Sequence, residues 1–212
     1  MIRVLIADDH PMVRKGLAQM VAESGDLECA GEAGDSVSVS RVLGQKPVDV
    51  LLLDVEIPGR NGLEILKAVR RSHPKVQVLM FSMYPEDQYA VRALKAGAAG
   101  YLNKNTPPQK IIEAIRGAAR GRKYVSPALA QTLASRISED LAGARLAHES
   151  LSDREFQTLR CIAGGKKLAE IATEMSLSPK TVSVYRARLL EKMKLRNNSE
   201  ITRYAIRNQL VD

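Results

Sequence analysis

Two hydrophobic periodicities alternate along the first 120 residues of the chain. Short runs rich in β-branched residues, typical of strands, are each followed by a stretch in which apolar residues recur every three or four positions. Strands are predicted at Arg3–Ala7, Leu27–Glu32, Val48–Leu53, Val76–Phe81 and Ala99–Leu102. The third and fourth runs are almost continuously apolar, as in parallel strands covered on both faces. The pattern predicts an α/β domain with a parallel sheet.

Beyond residue 121 only helical spacing remains. Apolar residues first recur at four-residue steps: Leu129, Leu133, Ile137 and Leu141. They predict a linker helix, and the sequence leaves open what its apolar stripe packs against. Ser152 with Glu155 then forms a capping box at the start of a helix. The sequence therefore predicts an α/β domain over 1–121, a helical linker over 122–148 and an all-α domain of four helices over 149–212.

A helix-turn-helix is predicted inside the C-terminal domain. Ser178 and Pro179 form an N-cap followed by proline at the first helical position. The helix that they begin follows a short helix after a tight turn, an arrangement typical of DNA-binding domains.

The total net charge does not by itself indicate DNA binding, but the position of the basic residues along the chain does support it. The chain carries 32 Lys and Arg against 24 Asp and Glu, a net charge of +8. The segment Pro179–Lys194 alone has five basic residues and one acidic residue. A basic helix is compatible with an ordinary solvated face, a membrane surface or a nucleic-acid interface. The arrangement of its side chains decides among these three.

On a helical wheel, the small and basic side chains of this segment share one face. Val182, Leu189 and Met193 form the inward face, whereas Val184, Ala187 and Arg188 point outward. Outward small apolar groups beside an arginine suit the major groove. There the apolar groups contact thymine methyl groups, and the arginine pairs with guanine. The predicted DNA contacts are base-reading Val184, Ala187 and Arg188, flanking Ser183, and phosphate-binding Lys180, Thr181 and Lys192.

Polar side chains stand where four predicted strands end. Asp8 and Asp9 follow the first strand and Asp54 follows the third, while Ser82 and Lys104 follow the last two. Parallel strands bring their carboxyl ends to one edge of a sheet, so these groups are expected to converge. Three carboxylates in one place repel one another unless a cation is present, and Mg²⁺ prefers such oxygen ligands. The set predicts a magnesium-assisted site in which a carboxylate attacks phosphorus. His10 is expected to begin a helix.

These motifs resemble two bacterial families. Residues 1 to about 121 resemble the receiver domain of two-component response regulators, through Ala7-Asp8-Asp9, Leu53-Asp54, Ser82 and Tyr101 with Lys104. The segments 151–155, 170–172, 177–182 and 192–193 resemble the LuxR-type helix-turn-helix. Together they resemble the NarL/FixJ class of transcriptional regulators, and most of all its GacA/UvrY subgroup.

The resemblance implies a flavodoxin-like fold and a set of residue roles. Asp54 would accept a phosphoryl group from a sensor histidine kinase. Asp9, Asp54 and the backbone carbonyl of Glu56 would hold Mg²⁺, with Asp8 acting through water. Ser82 and Lys104 would bind the phosphoryl oxygens, and the rotamer of Tyr101 would report occupancy. Phosphorylation would promote homodimerisation and binding to double-stranded DNA, without any enzymatic turnover beyond the receiver's own phosphorylation and dephosphorylation.

The resemblance also implies a dimerisation role for the last helix. Its candidate contacts are Ile201, Tyr204 and Ala205, and completing the core of the small domain is an equally good role for them.

Three other functions compete with this interpretation. A constitutive DNA binder would use the receiver for dimerisation alone, and the intact acidic, hydroxyl and ammonium set argues against it. An enzyme that hydrolyses phosphate esters would need a substrate cavity that no part of the chain predicts. A membrane-surface role for the basic helix is disfavoured because Ser183 on its outward face is polar and large apolar side chains are not expected there. A membrane span and a secreted protein are not indicated either, since no apolar run approaches the roughly 18 residues of a span and no signal peptide is recognisable. The expected location is the cytoplasm.

Overall fold

The computed structural model describes residues 1–141 and 146–211. The chain divides into two compact units, Met1–Ser135 and Arg136–Asp212. The segment predicted as a linker, 122–148, is shared between them.

A five-stranded parallel sheet forms the centre of the first unit. Its strands are β1 (Ile2–Ala7), β2 (Leu27–Ala33), β3 (Val50–Leu53), β4 (Gln77–Ser82) and β5 (Gly100–Asn103). Their spatial order is β2-β1-β3-β4-β5, and each pair of neighbours is parallel. The predicted α/β architecture and the flavodoxin-like order are confirmed. A parallel order of this kind places the carboxyl ends of all five strands at one edge.

Five helices connect and follow these strands: α1 (Pro11–Glu23), α2 (Ser36–Gln45), α3 (Gly62–Ser72), α4 (Glu86–Lys95) and α5 (Pro108–Ala119). Leu17 of α1 and Ile115 of α5 pack in one cluster with Ile6 and Leu52 of the sheet. Strand residues at the alternate positions, such as Leu51, are buried too, so both faces of the sheet are covered. Two-sided burial is why β3 and β4 have almost continuously apolar sequences.

The beginning of the predicted linker packs on the first unit. Tyr124 forms a β-bridge with Gly100, and a Cβ atom at Gly100 would lie 2.7 Å from the carbonyl oxygen of Tyr124. Helix α6 (Pro127–Leu141) follows, with Leu129 buried and Leu133 half-buried. The side chains of Ile137 and Leu141 lie outside the described ones.

Over residues 146–211, the described part of the second unit that follows α6, the α-helices are α7 (Asp153–Ala163), α8 (Leu168–Glu174), α9 (Pro179–Met193) and α10 (Asn198–Arg207). A short 3₁₀ turn at Ala147–Ser150 precedes them. Both predicted caps are present, because the hydroxyls of Ser152 and Ser178 accept hydrogen bonds from the backbone N–H groups of Glu155 and Thr181. The all-α helix-turn-helix prediction is confirmed. Within the two described stretches, every helix is too short or too polar to cross a membrane.

Candidate functional site

The polar residues predicted at the strand ends do come to one edge of the sheet. Asp54 follows β3 directly, and its backbone N–H donates to the carbonyl of Ala7 over 2.8 Å. Lys104 follows β5, and its backbone N–H donates to the carbonyl of Ser82, the last residue of β4, over 2.9 Å. The ladder hydrogen bonds thus continue one step past the strands and hold the backbones of these residues in register.

Lys104 joins two carboxylates that come from different strands. Its Nζ lies 2.6 Å from Oδ2 of Asp8 and 2.7 Å from Oδ2 of Asp54. Asp8, Asp54 and Ser82 are all at most 4% exposed. An acid after β1, an acid after β3 and an amine after β5 therefore meet at one largely buried position.

Helix α3 fixes the backbone on which Asp54 stands. A Cβ atom at Gly62, the first residue of α3, would lie 2.1 Å from the carbonyl oxygen of Asp54 and 2.9 Å from Cα of Val55. Only glycine permits this close approach of two backbones. Asn61 caps the helix and is itself buried, with its Oδ1 accepting from the N–H of Leu63 over 2.8 Å.

Burial sets the electrostatics of the pocket. Desolvation raises the pKa of the Asp54 carboxyl to about 6, although the hydrogen bond from Lys104 opposes the rise. Burial also disfavours the charged form of Lys104, but its bonds to Asp54 and Asp8 together outweigh that effect, and its pKa lies above the usual value. The ammonium therefore stays charged and compensates part of the negative charge beside it.

The acidic cluster has the composition of a magnesium site. One ligand atom each from Asp8, Asp9, His10 and Asp54 lies within 4.8 Å of the others. Oδ2 of Asp8 is buried, and its partner is the Lys104 ammonium 2.6 Å away. Three carboxylates against one ammonium leave an excess of negative charge. A hard divalent cation with oxygen ligands would neutralise this excess.

His10 lies beside this cluster, where it is the N-cap residue of α1, as the sequence predicts. Its Nδ1 lies 2.6 Å from Oδ1 of Asp9 and 3.2 Å from Oδ1 of Asp8. The ring therefore contacts the acidic pair from the solvent side.

One residue that the sequence did not single out, Tyr84, contacts the predicted set. It lies in the loop after β4, and its hydroxyl donates to Oε1 of Glu56. Its carbonyl accepts from the hydroxyl of Tyr101, which is fully buried, over 2.9 Å. The backbone N–H of Tyr84 donates to Oγ of Ser82 over 3.3 Å. No periodicity or motif marks Tyr84, because its contacts arise only when two loops meet.

The second candidate site is the outward face of α9. Val182, Leu189 and Met193 are buried, as the wheel predicts. The predicted DNA contacts lie outward: Lys180, Ser183, Val184, Ala187, Arg188 and Lys192 are exposed, and Thr181 is half-buried. Val184 is 43% exposed, which is unusual for a large aliphatic residue on a basic helix. The face can therefore offer apolar and cationic groups together, the combination that base edges and phosphates accept.

Lys192 has a partner within the second unit. Its Nζ lies 2.7 Å from Oε2 of Glu155, which is 3% exposed and also accepts from the N–H of Ser152 over 2.8 Å. Burial raises the pKa of Glu155, but the bonds from Lys192 and Ser152 outweigh it and leave the pKa below its usual value. Lys192 thus links α9 to the capping box of α7, in addition to its predicted phosphate contact.

Replacing Lys192 with alanine is expected to destabilise the C-terminal domain. The substitution leaves the buried Glu155 carboxylate without its cation, a loss of about 1–3 kcal/mol in the free energy of unfolding. Urea unfolding monitored by circular dichroism measures it, with Lys194→Ala as the control from the same helix end. Equal unfolding curves for the two variants would show that the ion pair contributes nothing.

The predicted dimerisation residues fall into two groups. Ile201 and Ala205 are fully buried, which matches the core role that the sequence left open. Tyr204 is half-buried, and its hydroxyl lies 3.0 Å from Nδ1 of His148. Ile206, 56% exposed, is the large apolar side chain that α10 presents to its surroundings. Dimerisation through this helix stays a prediction.

Comparison with known proteins gives the same two-part division. Residues 4–116 match the family model described as response regulator receiver domain, and residues 149–205 match bacterial regulatory proteins, luxR family.

Relatives extend over the whole chain. It is 37% identical over 212 residues to the response regulator GacA of Pseudomonas viridiflava, covering 100% of this chain and 99% of that protein. It is 36% identical over 211 residues to the response regulator UvrY of Escherichia coli, covering 99% and 96%. A solved structure of RcsB from Salmonella enterica serovar Typhimurium, bound to a promoter in the presence of the phosphomimetic BeF3⁻, superposes with a TM-score of 0.63 at 25% identity and covers 96% of this chain and 97% of that one.

Proposed function

Because the chain belongs to the response regulators that join a receiver domain to a LuxR-type DNA-binding domain, we propose that phosphorylation of Asp54 switches its binding to DNA. It is a transcriptional regulator of this class, not a conventional enzyme. The observation that carries the proposal is the contact of one ammonium, Lys104 Nζ, with two buried carboxylates from different strands, those of Asp8 and Asp54. The phosphodonor is the phosphohistidine of a sensor kinase.

Asp54 is the nucleophile of the transfer. One of its carboxylate oxygens attacks the phosphorus of the donor, the phosphorus–nitrogen bond breaks, and the imidazole leaves with a proton from solvent. Lys104, already 2.7 Å from Oδ2 of Asp54, is placed to neutralise the phosphoryl oxygens. Ser82 donates its hydroxyl to a second oxygen. Water later attacks the same phosphorus, the bond between phosphorus and the Asp54 oxygen breaks, and inorganic phosphate leaves while the carboxylate is restored. The same residues are proposed to promote this dephosphorylation.

Asp8, Asp9, Asp54 and the backbone carbonyl of Glu56 would hold Mg²⁺. When bound, the ion supplies positive charge against the carboxylates and the phosphoryl oxygens, which would otherwise repel each other. The excess negative charge of the cluster supports this assignment.

Mg²⁺ is expected to stabilise the receiver domain through this cluster. At ten times its dissociation constant, an ion that binds only the folded state adds roughly 1.4 kcal/mol to the free energy of unfolding. Thermal unfolding with Mg²⁺ and with EDTA should separate wild type, which responds, from Asp9→Asn, which does not. Glu113→Gln, an exposed carboxylate of α5, serves as the control that keeps the response. The same shift in all three proteins would mean that the ion acts elsewhere.

Phosphorylation is proposed to act on DNA through the second domain. About two negative charges added at Asp54 rearrange the surroundings of Ser82 and Tyr101, and this favours a homodimer that places two α9 helices in successive major grooves. Val184, Ala187 and Arg188 read bases, with Ser183 beside them, while Lys180, Thr181 and Lys192 contact phosphates. Tyr204 is the dimer contact on α10 that the burial pattern leaves available. Double-stranded DNA as partner implies that the protein works in the cytoplasm.

A further inference from the structure

Tyr84 contacts four neighbours that matter to the proposed switch. Its hydroxyl donates to Glu56, its N–H donates to Oγ of Ser82, and its carbonyl accepts from the hydroxyl of Tyr101. Its ring stacks on Tyr89 of α4, with centroids 5.0 Å apart and planes inclined by 29°. One residue thus contacts the loop after β3, the end of β4, the strand β5 and the helix α4.

Glu56 completes the connection to the acceptor carboxylate. Its backbone N–H donates to Oδ1 of Asp54 over 3.2 Å, while its half-buried side chain accepts from Tyr84. Glu56 therefore contacts Asp54 through its backbone N–H and Tyr84 through its side chain.

A phosphoryl group on Asp54 adds negative charge two residues from the Glu56 carboxylate. The phosphoryl group adds about two negative charges. Glu56 follows Asp54 by two residues, and the Tyr84 hydroxyl holds its carboxylate in one place at a partly buried position. Like charges repel more strongly where water is partly excluded. If this repulsion turns the Glu56 side chain away from the phosphoryl group, its bond to Tyr84 breaks.

We propose that the hydrogen bond between Tyr84 and Glu56 is a latch that opposes phosphorylation of Asp54. It stabilises the unphosphorylated arrangement alone, so it shifts the equilibrium and the rate against phosphoryl transfer. Tyr84 is in this sense a positioning residue, since it acts on the reacting carboxylate through Glu56. The inference rests on the proposed acceptor role of Asp54 and adds a specific control of that step.

The latch predicts that the effects of Tyr84→Phe and Glu56→Ala on the phosphorylation rate are not additive. Tyr84→Phe removes the hydroxyl alone, and we expect it to accelerate phosphorylation of the full-length chain by acetyl phosphate several-fold, up to about tenfold, equivalent to about 1.4 kcal/mol. In a Glu56→Ala background the same substitution should change the rate by less than about twofold, because no acceptor is left to release. Intact-mass spectrometry against time in the presence of Mg²⁺ measures all four proteins.

Controls distinguish the latch from a merely structural role. Tyr185→Phe removes a tyrosine hydroxyl from α9 and should leave the rate unchanged, and melting temperatures of all variants verify that they fold. The latch is overturned if the Tyr84→Phe variant is phosphorylated at the wild-type rate. It is equally overturned if the substitution accelerates phosphorylation by the same factor in the wild-type and Glu56→Ala backgrounds. It is also overturned if the substitution only speeds the loss of the phosphoryl group. The bond would then protect phosphorylated Asp54 from attack by water instead of opposing its phosphorylation. Wild type that gains no phosphoryl mass would overturn the acceptor role itself.

Discussion

Replacing Asp54 with asparagine is expected to abolish phosphorylation of the protein by acetyl phosphate. Asparagine keeps the size and polarity of the side chain but offers no anionic oxygen to attack phosphorus. Asp54 is 4% exposed and lies 2.7 Å from Nζ of Lys104, the group proposed to neutralise the phosphoryl oxygens. Intact-mass measurement after incubation with acetyl phosphate and Mg²⁺ should show the added phosphoryl group in wild type and none in the variant.

A matched control for this experiment is Asp35→Asn. Asp35 caps α2 with its side chain, and asparagine caps helices about as well, so the fold is retained. The control should be phosphorylated at the wild-type rate. If Asp54→Asn still gained one phosphoryl group, the acceptor would be another residue. If wild type gained none, a constitutive DNA binder with the receiver as a dimerisation module would become the better interpretation.

Replacing Val184 with glutamate should remove sequence-specific DNA binding. Val184 lies on the outward face of α9 and is 43% exposed, and glutamate is a good helix former, so the domain should fold normally. In the proposed complex the new carboxylate would be desolvated in the major groove between two rows of phosphates. We expect about a hundredfold weaker binding, equivalent to roughly 2.7 kcal/mol. Genome-wide footprinting of the phosphorylated protein supplies the operator on which the variant is measured.

Two further variants define what this loss means. Val37→Glu makes the same change at an exposed position of α2, 76% accessible, and should bind DNA as wild type does. Arg188→Ala should lower the affinity for the operator while leaving the affinity for random DNA almost unchanged, as expected of a residue that reads a base. If Val184→Glu bound the operator normally, α9 would not be the helix in the major groove.

Much of the architecture could be predicted because it depends on local rules. Apolar runs of four to six residues, each followed by helical spacing, are enough to indicate a βα alternation, and buried strands leave no polar face to confuse the pattern. The helix-turn-helix was equally accessible, since Ser152, Ser178 and Pro179 are capping residues whose effect is confined to one helical turn. The helical-wheel prediction of the inward and outward faces of α9 is confirmed for the same reason. Val182, Leu189 and Met193 are buried, and Val184 is not.

Contacts between distant segments were beyond such rules. The ion pair of Lys192 with Glu155 joins residues 37 positions apart. It gives Lys192, predicted from the sequence to bind a DNA phosphate, a partner within the protein. Tyr84 reaches Glu56 across 28 residues, through a loop whose path no sequence periodicity encodes. Ile201 and Ala205 could be read as core or as interface until their burial was seen, because both roles ask for apolar residues at helical spacing.

The sequence by itself determined the order of strands and helices along the chain, the caps, and the residue types that stand at the ends of the strands. It could do so because hydrophobic spacing and capping act within a few residues. The tertiary structure alone decided how those strand ends face one another. It placed one ammonium between two buried carboxylates, raised the pKa of Asp54 to about 6 through burial, and brought Tyr84 to Glu56. Those properties depend on distance and on exclusion of water, which only the folded chain sets.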